Sequence, residues 1–119
     1  MNKVILVGNL VKDMEVKTGK NFDIGRFTLA VNEGYGDNQK TYFIPCSIFG
    51  DRIENLQKYL LKGVKVLVDG SLYYENYKDN DEWKSVFNVT VGNIEILKFA
   101  DIEVKNTNKN KRGRKLWLW

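Results

Sequence analysis

Two stretches of this sequence carry aromatic rings at alternating positions. In residues 41–49, Phe43, Pro45, Ser47 and Phe49 share one parity, and Tyr42, Ile44, Cys46 and Ile48 share the other. Successive side chains of a strand point to opposite faces, so these are the two faces of one strand. The second set reads as core. The first, two phenylalanines with a proline and a serine, is a poor interior and a plausible platform for flat ligands. In residues 64–77, Val64, Val66, Val68, Leu72 and Tyr74 lie on one side, and Lys65, Leu67, Asp69, Ser71, Tyr73, Glu75 and Tyr77 on the other. Again the polar face carries rings. Tyr35 stands alone among the turn formers Gly34, Gly36, Asp37 and Asn38, and Trp83 follows a second polar turn, so both extend such a platform if their loops curl over the strands.

A ring set of this kind suits the bases of a single strand. Every base has a π-face, so stacking contributes about 1–3 kcal/mol per base with little sequence preference, while lysine and arginine neutralise phosphates. Arg26, Lys40 and Lys62 flank the same strands and loops and are the candidate phosphate contacts. For any one ring alone, a second hydrophobic face or a subunit interface is an equal reading, and for an isolated cation plain solvation is the default. For Trp83, packing across the mouth of a hairpin is favoured. Phe43, Phe49, Tyr73 and Tyr77 together favour a stacked ligand, which asks for no catalytic residue.

Other chemistries are poorly supplied. The chain has no histidine, which removes the usual general base, metal ligand and nucleophile partner. Asp79, Asp81 and Glu82 lack the spacing of a calcium-binding loop and read as a solvated turn. Gly8, Gly25, Gly63 and Gly70 form no phosphate-binding fingerprint and read as bends or caps. The expectation is therefore a protein that is not an enzyme and needs no cofactor or metal. The rivals are a small nuclease with a metal held by carboxylates and a purely structural assembly protein, and both leave more of the sequence unexplained. Cys46, the only cysteine, sits between Ile44 and Ile48 and reads as a buried thiol in a reducing compartment.

The elements that position these residues follow from the same periodicity. The 119 residues, 43% of them hydrophobic, suffice for one domain and a tail. Alternation predicts strands over residues 3–11, 24–32, 41–49, 64–77 and 83–97, the last two forming a hairpin about the turn at 78–82. Residues 12–23 read as a charged connection with a turn at Thr18, Gly19, Lys20 and Asn21. Across 51–63 the period becomes helical, with Ile53, Leu56 and Leu60 on one face, Gly50 and Asp51 at the start and Gly63 at the end. Three strands, a helix and two strands is the order of a five-stranded OB-fold barrel. The first strand has apolar residues on both faces, Val4, Leu6 and Leu10 against Ile5 and Val7, and one barrel needs only one of them. The second face predicts self-association.

Charge is distributed unevenly. The formal net charge is +4, yet residues 1–99 hold 13 basic and 13 acidic side chains, so the excess lies in residues 100–119. That segment reads as a flexible basic tail ending Leu116-Trp117-Leu118-Trp119. No stretch reaches the roughly 20 apolar residues of a membrane span and no signal peptide is visible, which predicts a cytoplasmic protein.

Four segments also carry a resemblance. The opening Met1-Asn-Lys-Val-Ile-Leu-Val-Gly-Asn-Leu10 is similar almost letter for letter to the first strand of bacterial and phage single-stranded DNA-binding proteins. Arg26-Phe-Thr-Leu-Ala-Val-Asn32 resembles their second strand, Phe43-Ile-Pro-Cys-Ser-Ile-Phe-Gly50 their third, and Tyr59-Leu-Leu-Lys-Gly63 with Val66-Leu-Val-Asp-Gly-Ser-Leu72 their helix end and fourth strand. The resemblance covers about residues 1–98. It implies an OB-fold that assembles, typically as a homotetramer, and wraps single-stranded DNA in replication, recombination and repair, associated with the nucleoid. By position it assigns Tyr35, Phe43, Phe49 and Tyr77 to the family's stacking aromatics, several of them often tryptophan, and Lys62 to a commonly basic place near the DNA. The nearest alternative is another OB-fold module, a primosomal replication protein or an RNA-binding domain. The family usually ends in an acidic tip that recruits replication and repair enzymes; the basic tail here departs from that pattern and puts such recruitment in question.

Overall fold

The alternating segments form strands that close on one another in the computed structural model, which describes residues 1–99. In chain order these are β1 (Val4–Leu10), β2 (Glu15–Thr18), β3 (Asp23–Glu33), a 3-10 turn at Gly36–Asn38, β4 (Lys40–Phe49), helix α1 (Arg52–Leu56), β5 (Lys65–Asp79) and β6 (Glu82–Lys98). Neighbours run β1-β5-β6-β4-β3-β2, and β1 also pairs with β3, so β1, β3, β4, β6 and β5 make a five-strand ring with β2 added outside it. The β4–β6 pairing is parallel and short, Cys46 opposite Val89 and Ser47 opposite Thr90; every other pairing is antiparallel. This is the expected OB-type barrel. The basic segment 100–119 lies outside the described residues.

The core is the inward parity of each strand. Leu29 from β3, Cys46 and Ile48 from β4, Val66 and Val68 from β5 and Val89 from β6 are almost fully buried. Ile53 and Leu60 seal the end of the barrel from the α1 side. Cys46 is free and buried, and desolvation pushes its thiol up to about 12, which leaves it protonated and unreactive.

Three details depart from the sequence-based expectation. Glu15–Thr18 is a strand within the stretch read as a charged connection: Val16 faces inward opposite Gly25, while Glu15 and Lys17 face out. The helix is short, because the Leu60 carbonyl accepts from the Met14 N–H (2.9 Å) and the Lys62 N–H donates to the Asp13 carboxylate (2.7 Å), which ties residues 60–62 to the β1–β2 connection rather than to another helical turn. Ile53, Leu56 and Leu60 still face the core, Gly63 closes the segment at a φ of 91°, and Asp51 caps the helix without a side-chain hydrogen bond. Finally Tyr42, Leu72 and Tyr74, read as core by parity, are exposed. They lie where β4, β5 and β6 outrun the ring, so their inward side meets no opposite wall.

Beyond the ring β5 and β6 continue as a two-stranded arm. The pair is bulged shortly before the arm leaves the ring: the register shifts between Asp69 and Gly70 and leaves Gly92 extra, on the barrel side of Val89 and Thr90, which still pair with β4. A Cβ on Gly70 would collide with the Thr90 carbonyl, so only glycine lets the two strands approach there. The carbonyls of Val91 and Gly92 accept from the Arg52 guanidinium, the first at 2.6 Å, which anchors α1 to the bulge.

Candidate nucleic-acid interface

The outward parity of the same strands builds one continuous surface. β4 lies at its centre: across to β3, Phe43 is opposite Ala30, Pro45 opposite Thr28, Ser47 opposite Arg26 and Phe49 opposite Ile24. On the other side Ser47 is opposite Thr90, and along the arm Tyr73 is opposite Asn88, Glu75 opposite Val86 and Tyr77 opposite Lys84. Directly opposed residues share a face, so Arg26, Phe43, Phe49, Tyr73 and Tyr77 all belong to this surface. A groove of about 640 Å³ runs between the barrel wall and the arm, lined by Arg26, Thr28, Phe43 and Pro45 on one side and by Glu75, Tyr77, Val86 and Asn88 on the other. Phe43 and Tyr77 keep 63% and 48% of their surface exposed, so each offers a ring to whatever enters. Phe49 and Tyr73 are exposed on the same surface outside the groove lining.

The other candidates stand farther apart. Tyr35 is exposed at the start of the 3-10 turn between β3 and β4, and Lys40, opposite Glu33, begins β4 at that same end. Lys62 is tied through its N–H to Asp13, itself part of the groove lining, which places it at the groove's end by Val11, Lys12 and Asp13. Trp83 is opposite Lys78, on the face of the arm that turns away from Tyr77, with the Lys78 Nζ 5.7 Å from its ring centre. It packs across the hairpin mouth. Tyr74 and Phe87 lie on that same far face, their rings 4.8 Å apart, with the Tyr74 hydroxyl donating to Ser85.

The groove is not a basic channel. Lys12 and Arg26 share it with Asp13, Glu15 and Glu75, and Asn88 donates to Glu75 (3.3 Å). Glu15 lies opposite Arg26 in register and balances it. Stacking must therefore carry more of any nucleic-acid affinity here than phosphate neutralisation. The acidic turn at the arm tip holds Asn80 and Asp81 at positive φ and gives Asp79 to Lys84 at 3.2 Å, the hairpin turn of a solvated tip. Sequence reasoning did not single out Lys12, Thr28, Asn88 or Phe22. Thr28 follows from the parity of Arg26, and Asn88 from that of strand 83–97. Phe22, in the turn before β3, packs edge-on against Phe49 at 5.8 Å between ring centres, a contact with no sequence signal.

A closed five-strand ring with its helix between β4 and β5, and a groove of exposed rings across the β3-β4-β6-β5 face, defines an OB-fold of the kind that takes single-stranded nucleic acid. Residues 1–97 match the single-strand binding protein family, and the chain belongs to that family. It is 39% identical over 113 residues to single-stranded DNA-binding protein 2 of Staphylococcus aureus strain COL, covering 92% of this chain and 78% of that one. It is 38% identical over 117 residues to a single-stranded DNA-binding protein of Bacillus cereus, covering 95% and 66% respectively. Among solved structures, a Plasmodium falciparum SSB in complex with ssDNA superposes with a TM-score of 0.75 at 27% identity, covering 82% of this chain and 96% of that one.

Proposed function

We propose that this chain binds single-stranded DNA without sequence preference and protects it during replication, recombination and repair. Bases stack on Phe43 and Tyr77 in the groove and continue over Phe49 and Tyr73; Arg26, Lys40 and Lys62 meet phosphates; Tyr35 extends the path at the β3–β4 end, while Trp83, on the far face of the arm, lies off it. Holding the strand is the whole task, with no bond made or broken. A cytoplasmic, nucleoid-associated location belongs to the same reading, as does a domain ending near Phe99 followed by a separate basic tail.

The observation that carries it is the exposed ring set on one sheet face. Burying a phenylalanine is worth roughly 1.5–3 kcal/mol, so folding alone gives no reason to hold several rings in water on the same surface. A ligand with stacked flat groups supplies the reason. The relatives named above as single-stranded DNA-binding proteins support the choice of ligand.

Fluorescence anisotropy with labelled oligo-dT, a duplex of equal length and an RNA competitor tests it at low and high salt. Saturable binding of the single strand with little binding of duplex is expected. Phe43→Ala or Tyr77→Ala should each weaken it by about 5- to 150-fold, the equivalent of one lost stack. Binding to neither nucleic acid overturns the reading, and tighter binding of RNA turns it towards an RNA-binding OB module.

The reading includes self-association, most simply a homotetramer. Ile5 and Val7 on the outer face of β1 remain 61% and 41% exposed, with Leu67 of β5 opposite Val7. A light-scattering mass of one chain at micromolar concentration would reject it.

A further inference from the structure

Phe22 lies outside the groove lining. It ends the turn joining β2 to β3, closed by the Gly19 N–H donating to the Phe22 carbonyl at 3.0 Å and by Thr18 pairing with Asp23. The neighbouring Asp23 carbonyl accepts from the Gly50 N–H at 3.2 Å, so the turn is fastened to the end of β4 by its main chain. That fastening sets the Phe22 ring at 68° to the Phe49 ring, yet 51% of Phe22 and 40% of Phe49 remain in water. A contact made only to stabilise the turn would cover the rings more fully. Two rings inclined at 68° form an edge-to-face pair, and the half-exposed ring surface they leave is open to a stacked base. Lys17 lies on this outer face too, opposite Ile24, which is itself opposite Phe49; Lys20 is exposed in the turn. An aromatic corner flanked by two lysines continues the ring face past the end of the groove.

We infer that the β2–β3 turn is a further nucleotide subsite, in which one base enters the corner of Phe22 and Phe49 while Lys17 and Lys20 meet the flanking phosphates. The inference rests on the reading that this face carries single-stranded DNA, and extends the bound strand beyond Phe49 towards the turn. A strand too short to reach from the groove to the turn gains nothing from it.

The test uses the full chain with labelled oligo-dT of about 4 and about 16 nucleotides, spanning the range of site sizes of one OB-fold. Phe22→Ala should weaken the longer oligonucleotide about tenfold, leave the shorter one unchanged, lower the melting temperature no more than Phe87→Ala does, and be rescued by Phe22→Tyr. Lys17→Ala and Lys20→Ala should each lower the slope of log affinity against log salt by about 0.7, the single-strand value per phosphate, whereas Phe22→Ala leaves that slope alone. Wild-type affinity of Phe22→Ala for the longer strand overturns the subsite while leaving the groove reading intact. So does an equal loss at both lengths, the signature of a structural ring. Failure of the wild-type chain to bind either length overturns the groove reading and this one together.

Discussion

The two halves of the β5–β6 hairpin share one alternation and one register and end in opposite environments. In the barrel half Val66 is 0% exposed, and Val68, Val89 and Val91 are buried with it; in the arm half Phe87 is 55% exposed, and Leu72, Tyr73, Tyr74 and Tyr77 are exposed as well. The change falls at the Leu72–Val89 pair, just beyond the bulge of Gly70 and Gly92, where Arg52 holds the Val91 and Gly92 carbonyls. Below it β1, β3 and β4 pack against the hairpin; above it no strand does, and the arm faces the barrel only across the open groove. Burial is thus decided by whether a facing wall exists, not by how apolar the side chain is. Rings in the arm contribute little to the fold, which leaves them available to a ligand.

The comparison is tested first through stability. Leu29→Ala, in the barrel, should cost about 2–5 kcal/mol in urea unfolding. Phe87→Ala, though a larger truncation, should cost about 1 kcal/mol or less, the worth of its ring pair with Tyr74. Equal costs would make the arm part of the cooperative core and break the distinction.

A second test uses the buried thiol. Cys46 rises from its ordinary 9.0 to about 12 in the fold, so the folded state holds its proton more tightly than the unfolded chain does. Its effect is absent below pH 9, and stability is lost as pH rises from there towards 12, with a limiting slope of about 1.4 kcal/mol per pH unit. Urea unfolding of wild type against Cys46→Ala over that range should show the extra loss in the wild type alone. Parallel curves would mean that water reaches the thiol.

The smallest effect concerns the groove itself. Glu75→Gln removes one of its three carboxylates and should raise affinity for oligo-dT a few-fold at low salt, an effect that fades as salt rises. A fall in affinity would give Glu75 a hydrogen-bonding role towards the bases instead.

Much of this was legible in the sequence because parity is a strong signal where strands are long. The alternation in residues 41–49 placed Phe43 and Phe49 on one face and Cys46 and Ile48 on the other, and the structure has them so. Parity gives the side, however, and not what stands opposite, so Tyr42, Leu72 and Tyr74 have core parity while the core ends before reaching them. The strand Glu15–Thr18 is too short and too charged for alternation to show, and with it went Glu15, the groove carboxylate that balances Arg26. Leu60 carried the helical period faithfully, but its carbonyl's bond to Met14 is a long-range contact that no local pattern encodes. The Phe22–Phe49 contact is of the same kind, as is the turn of Trp83 to the far face of the arm.

The central claim is that bases lie on the ring face between barrel and arm. Photocrosslinking of the full chain to 5-iodouracil oligonucleotides, with the linked residues mapped by mass spectrometry, examines it without relying on any variant's stability. Adducts are expected at Phe43 and Tyr77 and at their neighbours on the same face, suppressed by excess unlabelled single strand and not by duplex. Adducts confined to the outer face of β1, around Ile5 and Val7, or none at all despite binding, would contradict it.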